Sequence, residues 1–318
     1  MREIAAAVRE WKEPYALAVV TEVRGSAPRE PGAAMAVRRD GTVLGSVSGG
    51  CVEGSVYASC LEVLESGAPR VEEFGYSDAD AFEVGLTCGG AITVHIRRCG
   101  GELDGLFGDL VAGRSARLSL GQGLPELEFP APGRLLVFGA VDFAAALAGA
   151  GKLLGLHVVV CDARPVFATA LRFPAADEVV VDWPHRYLAQ LTGEEARTAV
   201  CVLTHDAKFD VPVLVEALGR PFGYIGAMGS RRTNADRLLR LRQAGVTEAQ
   251  LGRLRAPIGL DLGARGPAET ALSILAEVVA VTRGGSGLPL SELEGPIHTG
   301  GAEEEGGGDD DGSAVSER

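Results

Sequence analysis

The chain has 318 residues, of which 46% are hydrophobic, enough to bury a sizeable core and long enough for two domains. Its formal charge is −13; seven acids against one arginine between His298 and Arg318 supply −6 of that and leave the body near −7. This balance gives no counter-charge for a phosphate backbone or an anionic leaflet, so neither nucleic acid nor a membrane surface is an expected partner.

The first 14 residues, MREIAAAVREWKEP, read as an amphipathic helix without the apolar core of a secretory signal. No apolar run approaches the roughly 20 residues of a membrane span, and a soluble, cytoplasmic protein is expected. Short strand signals follow at Tyr15–Val23, Ala33–Val37 and TVLGSV, then a helix-like VEGSVYASCLEVLE, and AITVHI (Ala91–Ile96) alternates as a half-buried strand should. The acidic SDADAFEVG (Ser77–Gly85) lacks the ligand and glycine placement of a calcium loop and reads as solvated. These elements predict an α+β domain over 1–128, closed by the proline and glycine punctuation of FPAPG.

From Arg134 the pattern alternates strand and helix: RLLVFGA, DFAAALAGAGKLLG, HVVVCDA, EVVVDW, AVCVLTH, FGYIGAM and a last helix, PAETALSILAEVVAVT, with Pro267 in its first turn. Continuous apolar strands between helices predict a Rossmann-like, doubly wound parallel sheet over 134–296. The glycine-rich acidic stretch 297–318 is expected to be a disordered tail.

Two segments carry chemistry. In GTVLGSVSGGCVEGSV, the small residues Ser46, Ser48, Gly49 and Gly50 precede a helix whose first turn is predicted to hold Cys51 and Glu53. Unpaired amides and the helix dipole make such a start an anion site and favour a thiolate at Cys51. A tight turn with a buried cysteine is the competing reading. The other cysteines, Cys60, Cys161 and Cys201, read as core, and Cys99 as an incidental strand-end residue; no C-x-x-C pair points to a disulfide or structural zinc.

The run GSAPREPGAAMAV, then the GGCVE turn, then Thr87-Cys88-Gly89-Gly90 resembles the amino-terminal domain of the XdhC/CoxI family. YIGAMGSRRT and PIGLDLGARGPAETALSILAEV resemble its carboxyl-terminal half, so that the likeness runs from Glu3 to about Arg283. The resemblance implies an accessory protein that binds molybdenum cofactor in its molybdopterin form, assists its sulfuration with a cysteine desulfurase, and delivers it to an apo molybdenum hydroxylase. It also implies a homodimer and points to Arg29, Cys51 and Cys88 as contacts. Soft thiolates suit the metal, which makes Cys51 and Cys88 the expected metal ligands.

At the carboxyl ends of the parallel strands, where open α/β sheets bind ligands, stand Gly139, Asp162, His205 and Gly229-Ser230-Arg231-Arg232. Ser230 reads as a helix cap, and the two arginines could receive a pterin phosphate or lie on a solvated face. Asp162 stands where a ribose-binding acid would, which motivates a rival reading as an NAD(P)-dependent oxidoreductase. Against it, Val141 and Asp142 occupy the place of the second fingerprint glycine and its neighbour. A third reading is a docking protein whose cysteines are structural.

Overall fold

The structure is a computed structural model that describes residues 1–25, 27–75, 90–121, 123–193 and 195–294. Cys88, the acidic Ser77–Gly85 loop and the tail over 297–318 lie outside the described residues. The chain divides into two compact units, Met1–Ala131 and Pro132–Glu292.

The first unit comprises α1 (Arg2–Arg9), β1 (Tyr15–Arg24), β2 (Ala34–Arg38), β3 (Val43–Gly45), α2 (Glu53–Ser66), β4 (Arg70–Phe74), β5 (Ala91–Cys99), α3 (Asp104–Val111), and a short pair of strands, β6 (Ala116–Leu118) and β7 (Leu127–Phe129). The main sheet is antiparallel with the order β3-β2-β1-β5-β4. Tyr15 to Val20 of β1 are buried without interruption because both faces are covered. Ala16, Ala18 and Val20 join Val56, Cys60 and Val63 of α2, while Leu17 and Val19 join Ile4 and Val8 of α1 and Phe107 of α3. The same covering corrects two expectations. Val94, His95 and Ile96 are buried on both faces rather than alternating, and Cys99 packs into the core beside Leu17 rather than standing incidentally at a strand end.

The second unit is a doubly wound parallel sheet. Its elements are β8 (Arg134–Phe138), α4 (Asp142–Leu153), β9 (His157–Cys161), β10 (Glu178–Val180), α5 (Pro184–Gln190), β11 (Thr198–Val202), α6 (Ala207–Leu218), β12 (Tyr224–Ala227), α7 (Arg231–Gln243), α8 (Glu248–Leu251), β13 (Leu254–Arg255) and α9 (Pro267–Arg283). All strand pairs in the order β10-β9-β8-β11-β12-β13 are parallel. Helices α4 and α9 cover one face; α5, α6 and α7 cover the other. The strand order reverses between β8 and β11, which is where such sheets open a crevice.

Gly139 closes the base of that crevice. Its φ is +115°, and a Cβ there would lie 2.7 Å from Thr204 Cγ2 and 3.1 Å from the Thr204 amide nitrogen. Gly139→Ala is therefore expected to lower unfolding stability by about 2–4 kcal/mol, from backbone strain plus overpacking. Urea denaturation reads this directly, and a variant as stable as wild type would contradict it.

No helix among the described residues is long and apolar enough to cross a membrane.

Candidate functional site

In the first unit the loop between β3 and α2 is built around one carboxylate. Glu53 Oε1 accepts from Ser46 Oγ (2.6 Å) and from the amides of Val47 (3.2 Å), Ser48 (2.8 Å) and Gly49 (3.0 Å). Its Oε2 accepts from Ser48 Oγ (2.6 Å) and the Gly50 amide (2.8 Å). Ser48 Oγ in turn accepts from the amides of Cys51 and Val52. The inward turn of successive amides needs Gly49 and Gly50 at φ +83° and +128°. Burial pushes the Glu53 pKa up, but the hydroxyls of Ser46 and Ser48 and the Ser48 amide outweigh it and hold it down at about 2.

This geometry corrects two expectations. The helix starts at Glu53 with Val52 as its cap residue, so Cys51 precedes the first turn. The predicted anion site at Ser46, Ser48, Gly49 and Gly50 is real as a nest of donors, but the chain's own Glu53 fills it. Another anion would have to displace Glu53 to use those amides.

Cys51 stands at the lip of this fixed loop. It is half-buried and packs partly against the α2 side of the sheet. Cys60, Cys99, Cys161 and Cys201 are all buried, and burial raises their thiol pKa values, to about 12 for Cys60 and Cys161 and to about 11 for Cys99. Among the described cysteines, Cys51 is thus the one that is not fully buried. The expected second ligand, Cys88, lies outside the described residues. Arg29 is engaged by Glu3, both carboxylate oxygens lying 2.9–3.0 Å from one guanidinium nitrogen.

In the second unit the carboxyl edge of the sheet is more self-contained than its sequence implies. Asp162 Oδ2 accepts from the Ala140 amide (2.8 Å) and Arg164 (2.7 Å), and Oδ1 accepts from the Arg164 amide and Nε (both 2.9 Å). Burial raises the Asp162 pKa, and the Arg164 and Ala140 hydrogen bonds more than reverse that, so the net shift is downward. Arg172 adds bonds to the Ala140 carbonyl and to Asp142, which is exposed at the first position of α4. A ribose hydroxyl would find the acid already committed, and a pyrophosphate would meet Asp142 at the helix start. As they stand, these residues do not fit NAD(P): Asp162 is engaged within the fold by Arg164 and the Ala140 amide.

After β11 and β12 the chain builds a buried polar cluster that sequence reasoning does not reveal. Thr204 Oγ1 donates to Asp210 Oδ1; the other Asp210 oxygen pairs with Arg237 at 2.9 Å, with side-chain exposures of 5% and 3%. Arg237 also donates to the Met228 carbonyl (2.8 Å) and to Asn234. The signal is weak because Arg237 is one of five arginines in α7, where most face water. Ser230 caps α7 by accepting from the Thr233 amide (3.1 Å), next to Gly229, whereas Arg231, Arg232 and His205 are exposed.

Comparison with known proteins places these features in one lineage. Residues 8–75 match the XdhC and CoxI family and residues 135–278 match the XdhC Rossmann domain. The molybdenum cofactor insertion chaperone PaoD of Escherichia coli is 32% identical over 83% of this chain and 82% of its own length. The chain belongs to the XdhC and CoxI family. Two further relatives of this XdhC chain are YqeB of Escherichia coli, 29% identical over 89% of the chain, and a probable xanthine dehydrogenase subunit of Bacillus subtilis, 32% identical over 46% of it. The chain spans 46% of YqeB and 42% of the Bacillus subtilis protein. The crystal structure of a xanthine dehydrogenase from Bacillus halodurans superposes with a TM-score of 0.72 at 26% identity, over 89% of this chain and 96% of that one.

Proposed function

We propose that this chain is a cytoplasmic chaperone that holds molybdenum cofactor and inserts it into an apo molybdenum hydroxylase. The observation that carries the proposal is Cys51, half-buried where the other described cysteines are buried, on a loop that six donors to Glu53 hold in place. A soft sulfur ligand suits a thiophilic metal, and a pre-set loop lowers the ordering entropy of gripping it. The likeness to PaoD along most of both chains supports the same reading.

The finer parts are proposals of the same kind. Cys51, with Cys88 as its partner, receives the molybdenum end of the cargo in its molybdopterin form. The grip shields the cargo while a cysteine desulfurase supplies sulfur, and the protein works as a homodimer. Within the second unit, the start of α7 at Gly229, Ser230, Arg231 and Arg232, together with His205 after the neighbouring strand β11, offers contacts for a phosphate.

The test is transfer. The chain is loaded anaerobically with molybdenum cofactor, desalted, and mixed with an apo-hydroxylase. Wild type should restore hydroxylase activity faster than the same amount of free cofactor, and Cys51→Ala should lose that advantage. Equal restoration by free cofactor and loaded protein would overturn the proposal.

A further inference from the structure

We propose that the crevice between α6 and α7 binds a small zwitterion of the α-amino acid class, its ammonium group on Asp236 and its carboxylate on Arg240. The cavity measures about 160 Å³ and is lined by His205, Asp210, Thr233, Asp236, Arg237 and Arg240, among others. The pocket is half open to solvent, so the charges on its wall rather than its volume select the ligand.

Charge placement selects the ligand class. Arg237 and Asp210 on the wall neutralise each other at 2.9 Å. Asp236 and Arg240 are exposed and stand one turn apart on α7, the spacing at which opposite charges on a helix join. Yet among the described residues no ion pair forms between them or with any other side chain, and both line the cavity instead. A bare phosphate would meet the Asp236 carboxylate, and a bare amine would meet Arg240. A ligand carrying both charges satisfies both, with the Thr233 hydroxyl and the His205 ring as further polar contacts. The site lies wholly within the second unit and does not depend on Cys51, although it shares His205 with the phosphate contacts proposed above.

Isothermal titration calorimetry of the exhaustively dialysed full chain tests this. The common α-amino acids are titrated one at a time beside acetate, methylamine and inorganic phosphate. At least one amino acid should bind, with acetate and methylamine at least about tenfold weaker, a difference of about 1.4 kcal/mol. Asp236→Asn and Arg240→Gln should each weaken that binding by at least about tenfold, with melting temperatures in the absence of ligand equal to wild type because both side chains are exposed. Silence from every amino acid would overturn the proposal. So would phosphate binding that Asp236→Asn leaves intact or strengthens, since that describes an anion site.

Discussion

Arg237→Met is expected to lower the unfolding free energy by about 3–5 kcal/mol, and Asp210→Leu by a similar amount, because each leaves a desolvated charge without its partner. Both side chains are buried almost completely, so water solvates the orphaned charge poorly. The loss extends beyond the pair. Asp210 also accepts from Thr204 at the end of β11, and Arg237 also holds the Met228 carbonyl at the end of β12. Removing either therefore loosens two strand-end loops together. The double variant Asp210→Leu, Arg237→Met removes both charges and should recover most of the loss, since replacing a buried ion pair by apolar groups of similar volume is often close to neutral. A double-mutant cycle by urea denaturation measures the coupling; single variants within about 1 kcal/mol of wild type would contradict it.

The second large effect centres on Glu53. Glu53→Ala leaves inward-facing donors without an acceptor and is expected to cost about 2–4 kcal/mol, toward the lower end because the side chain is only partly buried. Glu53→Gln should be nearly as costly, because every partner in the cradle is a donor and the new amide would turn its own N–H groups against them. The carboxylate also makes stability depend on pH. Its folded pKa of about 2 lies below the unfolded value of about 4.5, so its contribution is fully present above the unfolded value. That contribution is lost as pH falls from about 4.5 toward 2. Wild type should lose stability over that window more steeply than Glu53→Gln, and parallel pH profiles would show that the cradle does not hold an ionised carboxylate.

Much of the fold is legible in hydrophobic pattern alone. After their first residues, RLLVF, HVVVC and TAVCV are apolar without a break because helices cover both faces of their sheet, and that continuity is what distinguishes a parallel core from a half-exposed strand. The strand RVEEF escapes such a reading because it lies at a sheet edge and carries two glutamates. The site is legible in part. GSVSGGC correctly marks a donor-rich turn before a helix, but nothing in the spacing says that Glu53 folds back into it. In sequence Glu53 looks like any acid complementing the start of a helix. Asp162 stands at its expected strand end, yet its commitment to Arg164 and Ala140 depends on three-dimensional closure of the turn. Arg237 is hidden for a similar reason: burial of one arginine on an arginine-rich helix is decided by the partner helix α6, which supplies Asp210.

Whether the chain works as a cofactor carrier turns on the sulfur of Cys51 holding the metal end of the cargo. After anaerobic incubation with molybdenum cofactor and desalting, molybdenum retained per chain should be near stoichiometric for wild type and at least about tenfold lower for Cys51→Ser, which keeps size and polarity but removes the soft ligand. Circular dichroism and melting temperature should match between the two. If Cys51→Ser retains as much molybdenum as wild type, the thiol does not hold the metal and the proposed role of this loop is wrong.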